Sequence, residues 1–211
     1  MSAVSPGDQK RARARILDAA EEQFAEAGFD GTSLRQIALR ANVPVPLVGY
    51  HFGSKLGLYR AIFEAGVPAI LDQRAAGMAL ADAEKDPVRR LEMIMRAILG
   101  PMLRLRNAEG KGFFAKMLAR EVNDPSAAER GILEELLDPI ARDMIALLEE
   151  LMPGRSKADA GWAYQIIVGT MFFVMADQGR IARMTDGACN PDDAESTLSH
   201  IIKFLLPGVR S

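Results

Sequence analysis

ILDAAEEQFAEAGFDGTSLRQIALRANVPVPLVGYHFGSKLGLYRAIF, residues 16–63, is the stretch of sequence that decides the fold. Ile16, Ala20 and Phe24 recur four residues apart, so they form the apolar face of a first helix. Gly28 follows as the glycine that commonly ends a helix in a left-handed conformation, and the helix is predicted to end just before it. The pattern is therefore helical from the first residue of the stretch.

Two shorter helices follow, with a tight turn between them. Ser33, with Gln36 three residues later, is a capping box at the start of the second helix. The third helix is predicted from about 44 to 52 and ends at Gly53, and Ser54 caps a fourth helix. Two short helices joined by a tight turn within a three-helix core form a helix-turn-helix, which lays its second helix across the major groove of DNA.

The same stretch resembles the DNA-binding domain of TetR-type transcriptional repressors. The similarity begins with ILDAA at 16–20, F at 24, GF at 28–29 and TS at 32–33. It continues with IA at 37–38, A at 41 and V at 43 in and after the second helix, and with YHFGSK at 50–55, which closes the third. It extends across the whole of this domain, whereas the rest of the chain is similar only in being helical and of suitable length. The resemblance implies a helix-turn-helix DNA-binding domain at 9–66 and a helical effector-binding and dimerisation domain at 67–211.

The resemblance also implies which residues contact DNA. The residues implied to contact the phosphate backbone are Thr32, Ser33, Tyr50, His51 and Lys55. The positions that touch base edges in such proteins are occupied by Pro44, Val45, Pro46 and Leu47. Arg35 is placed to reach a base or a phosphate, while His51 is either a DNA contact or a packed core residue. Because the base-edge positions lack hydrogen-bonding side chains, discrimination is expected to depend on thymine methyls, Arg35 and DNA shape.

The distribution of charge supports a DNA-binding N-terminal region, although the chain carries a net charge of −2. No acidic residue occurs between Gly31 and Arg60, and the remaining acids concentrate after Glu64. Such asymmetry is expected where one region of a mildly acidic protein meets phosphates. A chance run of charge on a solvated face would give the same pattern.

Composition excludes several other classes of protein. Nearly half of the 211 residues are apolar, which suffices for a substantial core. One cysteine, Cys189, and two histidines allow neither a disulfide framework nor a zinc cluster, and no metal or cofactor is expected. The polar start lacks an export signal and no apolar run reaches about 20 residues, which predicts a cytoplasmic protein without a membrane segment. No catalytic constellation is found, so no enzymatic activity is expected.

Beyond residue 66 the boundary signals are again those of helices, so the fold is predicted to be all-α, with about nine to ten helices. Capping side chains before prolines, and Ser156 with Asp159 three residues on, predict helix starts near 87, 125, 157 and 191. Further helices are expected around 68–82 and 111–122.

An apolar stripe at near-heptad spacing between 133 and 151 predicts either a dimer interface or an internal core helix. Pro139 within this stripe is expected to kink or divide the helix. With the apolar segment 162–175 the stripe would suit a two-fold four-helix interface, and the resemblance favours dimerisation. The residues assigned to the interface are Leu133, Leu137, Ile140, Met144, Leu148, Ile166 and Phe173.

Methionine and aromatic residues beyond residue 77 suit an apolar pocket that adapts to a guest, and equally an ordinary core. The pocket candidates are Met95, Met102, Phe113, Phe114, Met117, Trp162, Phe172 and Met175. The expected effector is an apolar or amphipathic molecule, with Arg96, Arg104 or Lys116 available to an acidic group.

These observations predict a ligand-responsive transcriptional regulator. We expect a homodimeric repressor that binds a (pseudo)palindromic operator in double-stranded DNA and is released by a small molecule. The molecule would favour a dimer whose recognition helices no longer match the roughly 34–36 Å separation of successive major-groove faces. An activator with the same DNA-binding domain, and a helical protein-interaction module that does not bind DNA, are the alternatives.

Overall fold

The computed structural model describes residues 6–106, 112–177 and 179–210, in which every regular element is helical. The first five residues, from whose polar character no export signal was predicted, lie outside these ranges. No helix in the described ranges is both long and apolar enough to cross a membrane. The α-helices are α1 (Pro6–Ala27), α2 (Leu34–Arg40), α3 (Val45–Phe52), α4 (Lys55–Asp82), α5 (Pro87–Leu105), α6 (Gly112–Asn123), α7 (Ala127–Arg130), α8 (Asp138–Leu151), α9 (Lys157–Ala176), α10 (Arg180–Met184) and α11 (Ala194–Arg210).

The predicted all-α fold is confirmed, and the N-terminal boundaries are those that the sequence predicts. Gly28 and Gly53 follow α1 and α3 with φ angles of +75° and +73°, a left-handed backbone that glycine adopts without strain. The side chains of Ser33 and Gln36 cap one another's backbone amides at 3.3 and 2.8 Å. These contacts are local, so the residues that make them are sufficient to set the helix ends.

The fourth helix is longer than predicted. The helix expected around 68–82 is the second half of α4, which continues without a break past the predicted domain boundary at 66/67. Pro68 lies inside α4 but is exposed, so water can satisfy the carbonyl that loses its amide partner. One rigid helix therefore links the two regions of the chain.

Further differences lie in the C-terminal region, where eleven described α-helices in all exceed the nine to ten predicted. The short helices α7 and α10 have four and five residues, too few for an apolar period. The last helix starts at Ala194, later than the predicted 191, because Asn190 closes a turn by accepting from the amide of Asp192 at 3.0 Å. Asp193 accepts from the amide of Ser196 instead, at 2.9 Å.

Pro139 divides the apolar stripe as expected. A π-helical segment, Leu133–Leu137, precedes α8, and Pro139 occupies the first turn of α8, where its missing N–H needs no partner. The capping box of Ser156 and Asp159 at the start of α9 is also present.

The N-terminal helices pack on the rest of the chain through α6. Helix α1 packs against α6, and α4 packs against α5. The rings of Phe63 on α4 and Phe114 on α6 lie 5.8 Å apart, edge to face. A side chain at Gly66 would place its Cβ 2.5 Å from the Phe114 ring, so this close approach of α4 and α6 requires glycine.

A buried ionic network stabilises the same junction, where α6 packs against the N-terminal helices. The Glu121 carboxylate on α6, with a relative exposure of 1%, accepts from the Tyr59 hydroxyl of α4 at 2.9 Å and from Arg130 of α7 at 2.7 Å. Arg130, with an exposure of 5%, also pairs with Asp124 at 2.6 Å. Burial, followed by the nearby Glu121 carboxylate, raises the pKa of Tyr59 well above its ordinary value, so the phenol stays protonated and donates to Glu121.

Removing one partner of this network is expected to be costly. Arg130→Met leaves the Glu121 carboxylate buried without its cation and should lower the free energy of unfolding by about 3 kcal/mol or more. The double variant Arg130→Met/Glu121→Gln should recover part of the loss, because the unpaired charge is gone. Urea unfolding followed by circular dichroism measures both.

The matched control is Arg142→Met, whose pair with Asp138 is exposed and 3.9 Å apart. We expect this control to lose less than about 0.5 kcal/mol. Equal losses for Arg130→Met and Arg142→Met would show that the buried network does not stabilise the junction.

Candidate nucleic-acid interface

Helix α3 has an exposed face, as a recognition helix must. Val48 is its buried residue and anchors it to the core. Pro44, Val45 and Pro46 are exposed and Leu47 is half-buried. Tyr50 is 71% exposed, which leaves its hydroxyl free to approach a phosphate. The base-edge positions predicted from the sequence therefore lie at the start of one accessible helix, with Pro44 directly before it.

The start of α4 lies beside the start of α2, and Lys55 joins them. Its ammonium group donates to the carbonyl oxygens of Phe29 and Thr32 at 3.0 and 3.1 Å and lies 4.3 Å from the centroid of the Phe29 ring. An ammonium group has three N–H donors, so one remains for a phosphate. The predicted phosphate contact of Lys55 is thus accompanied by a structural role that the sequence did not reveal.

Thr32 departs from its predicted phosphate role. Its side chain is buried, and its hydroxyl donates to the carbonyl of Gly28 at 2.8 Å. The hydroxyl therefore points into the turn after α1 and closes it. Ser33 is exposed, but its side chain caps α2 through Gln36, so the start of α2 would meet a phosphate mainly through the first-turn amides, which lack intrahelical acceptors.

The arginines of the segment 31–60, which contains no acidic residue, differ in whether a carboxylate neutralises their charge. Arg40 pairs with Glu22 at 3.4 Å and Glu26 at 3.1 Å, and Arg60 pairs with Glu135. Arg35 is exposed and has no carboxylate within 4 Å among the described residues. Of the three arginines, Arg35 therefore carries the charge that is most available to DNA.

His51 is half-buried between the rings of Tyr50 and Phe52, at centroid distances of 5.2 and 6.1 Å. Its Nε2 atom is buried without a hydrogen-bond partner among the described residues. This aromatic environment favours the alternative that His51 is a packed core residue, rather than one that contacts DNA through Nε2.

One basic residue beside α3 was not among the predicted site residues. The Arg13 guanidinium of α1 lies 5.2 Å from the centroid of the Phe52 ring, and Arg13 is exposed. Arg13 belongs to a run of basic residues, Lys10, Arg11, Arg13 and Arg15, but the sequence of this run does not indicate which member approaches α3.

A cavity of about 670 Å³ lies in the C-terminal region, within the usual range of ligand pockets. It is lined by residues of α4, α5, α6, α8, α9 and the π-helical segment before α8. Two of the eight pocket candidates, Met102 and Phe172, belong to it. Five of the predicted interface residues line it too: Leu133, Leu137, Ile140, Met144 and Phe173. The stripe at 133–144 thus faces the cavity.

The other pocket candidates lie elsewhere. Met95, Phe114, Met117 and Met175 are core residues outside the cavity lining, whereas Phe113 is half-buried near α1 and Trp162 is 68% exposed. Arg96 pairs with Glu92 and Glu195 away from the cavity, while Arg104 and Lys116 are exposed and do not line it. The cations that line the cavity are Arg74 and Arg120, which the sequence did not single out.

The seven predicted dimer residues differ in burial, and Leu133, Leu137 and Ile140 are half-buried. Met144 and Leu148 are buried within the protomer, which leaves them little surface for a partner. Ile166 and Phe173 on α9 are 54% and 78% exposed, as interface residues are before assembly.

Two family models match the chain. The model of "Bacterial regulatory proteins, tetR family" matches residues 16–62. The model of "Tetracyclin repressor-like, C-terminal domain" matches residues 96–208, more than half of the chain. The first match covers the stretch that carries the predicted resemblance.

Individual relatives point the same way. The chain is 35% identical over 137 residues to the HTH-type transcriptional regulatory protein RaaS of Mycobacterium tuberculosis, an alignment that covers 62% of this chain and 64% of RaaS. The fold is similar to that of the fatty acid degradation regulator FadR from Bacillus halodurans, with a TM-score of 0.68, 20% identity and 99% of each chain covered. It is also similar to NalD of Pseudomonas aeruginosa, a repressor of a multidrug efflux pump, with a TM-score of 0.62, 25% identity and coverage of 95% and 98%.

The contrast between Arg35 and Arg40 gives a test on a single helix. Arg35→Ala should weaken DNA binding about tenfold and lower the slope of log affinity against log salt by about one, because one phosphate contact is lost. Arg40→Ala should change both quantities much less, since its charge is already paired. Fluorescence anisotropy with labelled operator at several salt concentrations measures them, and equal effects of the two variants would contradict the assignment.

Proposed function

Because the chain belongs to the TetR family of bacterial regulatory proteins, we propose that it is a dimeric transcriptional repressor that binds operator DNA and is released by a small molecule. The observation that carries the proposal is the exposed face of α3 beside the adjoining starts of α2 and α4. Arg35 on α2 is exposed and has no carboxylate partner among the described residues. Residues 9–66 would bind DNA and residues 67–211 would bind the effector and the second subunit. Such a protein would act in the cytoplasm, where its operator lies.

An exposed apolar stripe on α9 supports the dimer. Trp162, Ile166, Gly169 and Phe173 follow one another at spacings of four, three and four residues, and all are exposed. This is the heptad spacing of a helix–helix seam. A Cβ added at Gly169 would meet no atom of the protomer within 4 Å, so a partner helix can approach there. Phe204 on α11, 85% exposed, is a further apolar side chain left open to solvent in the protomer.

The cavity supports regulation by a ligand. Its lining is mostly apolar and includes α4, which continues from the DNA-binding region, and α6, which packs against α1. A molecule that binds two arrangements of these helices unequally shifts the population between them, which is the requirement for release from DNA.

The experiment that tests the proposal is a gel shift on the DNA upstream of the protein's own gene, over a range of salt concentrations. We expect specific, salt-sensitive binding by the dimer. Absence of specific DNA binding would favour the protein-interaction alternative. Transcription from the same promoter in vitro distinguishes a repressor from an activator, since only the repressor lowers it.

The dimer has a separate test. Phe173→Glu places a charge at the most exposed large side chain of the α9 stripe. It should convert the dimer to a monomer, with a loss of operator affinity of about a hundredfold because both half-sites are no longer held together. Light scattering after size exclusion measures the mass.

The matched control is Leu80→Glu, another exposed apolar residue, 67% exposed on α4 and outside the stripe. We expect it to remain dimeric. A dimeric Phe173→Glu variant would exclude the α9 stripe as the interface.

A further inference from the structure

Arg74 is one of the two arginines at the apolar cavity, and no carboxylate of the described residues pairs with it. Arg74 on α4 lines the cavity, and its Nε donates to the carbonyl of Ile98 at 3.1 Å, while Nη1 lies 3.8 Å from the sulfur of Met144. No carboxylate of the described residues lies within 4 Å of its guanidinium. Since a guanidinium carries five N–H donors, most of its capacity is unused.

Two other arginines with little exposed surface, Arg106 and Arg130, do have carboxylate partners. Arg106 pairs with Asp192 at 2.8 Å and donates to backbone carbonyls, and Arg130 has Glu121 and Asp124. Burial lowers the pKa of Arg74, in line with a charge that has lost water without gaining a carboxylate. Such an unpaired charge is unfavourable unless something else satisfies it.

The remaining charges at the cavity do not supply that partner. Asp138 lines the same cavity, but its side chain is half exposed and faces Arg142 at 3.9 Å on its own helix. Arg120 is exposed and donates to the carbonyl of Glu26 at 3.1 Å. The less solvated charge of the cavity is therefore positive, with the Tyr164 hydroxyl available as a further donor.

We propose that Arg74 binds the anionic group of the effector, and that the effector is an organic monocarboxylate with a largely apolar body. A carboxylate matches the planar fork of a guanidinium in a bidentate pair, and its single charge is balanced by this single cation. A phosphate dianion would need a second desolvated cation. The apolar body would lie along Met102, Val168 and Phe172, which line the cavity. This inference rests on the proposed function in assuming that the cavity is the effector site.

The test compares ligands that share a body and differ in the head group. Hexanoate through dodecanoate, the matching primary alcohols and the matching amines are titrated into the full-length protein by calorimetry at neutral pH. We expect at least one acid to bind about tenfold or more tightly than its alcohol, and the amine to bind most weakly. Equal binding of every acid and its alcohol, or no binding of any acid, would overturn the proposal.

Variants assign the preference to Arg74. In Arg74→Gln the acid should lose its advantage while the alcohol binds as before, and Arg74→Lys should retain part of it. Lys116→Gln, an exposed cation outside the cavity, should keep the full preference. Thermal unfolding establishes whether each variant is folded. If Arg74→Gln does not fold, the reduced preference expected of Arg74→Lys still tests the assignment. An undiminished preference in Arg74→Gln would overturn the assignment.

The same samples separate this inference from the proposed function. A protein that prefers acids but does not shift DNA retains the Arg74 assignment and loses the regulator. A protein that shifts DNA but does not distinguish acids from alcohols keeps the regulator and loses the Arg74 assignment.

Discussion

The buried carboxylate of Glu121 is the constraint on which the arrangement of the two regions depends. A carboxylate with 1% exposure is tolerated only when its oxygens are satisfied, and its partners come from different parts of the chain, Tyr59 on α4 and Arg130 on α7. Tyr59 also packs edge to face against Phe24 and Phe63 in the helix-turn-helix core. The DNA-binding helices therefore cannot rotate relative to α6 without disturbing this network.

Helix α6 has a second neighbour, the cavity. Leu118 and Val122 line the cavity, while Glu121 lies between them in sequence and faces the network. Arg120 adds a bond to the carbonyl of Glu26, near the end of α1. Under the proposed function, a ligand that displaces α6 would act on α1 and α4 together. The coupling needs no long pathway, because one helix touches both the ligand site and the DNA-binding region.

The sequence predicts what depends on local contacts and misses what depends on distant ones. Helix ends at Gly28, Gly53 and Ser33 follow from neighbours a few residues away, so they were predictable. Arg35 and Arg40 are the same residue type on the same helix, and only the glutamates of α1 that approach Arg40 distinguish them. Likewise, the spacing of the apolar stripe at 133–144 does not distinguish residues that line a cavity from residues of a dimer interface.

The two prolines at the start of α3 limit how far this helix can bind phosphates through its backbone. Pro44 and Pro46 have no N–H, and the amide of Leu47 is bonded to the carbonyl of Pro44 at 3.0 Å, so the start of α3 offers few donors to phosphates. Under the proposed function, phosphate binding would then come from the starts of α2 and α4 and from Arg35 and Tyr50. Helix α3 is left with an apolar, conformationally restricted surface, suited to thymine methyls and groove shape. Affinity and sequence preference would accordingly reside on different helices and respond separately to substitution.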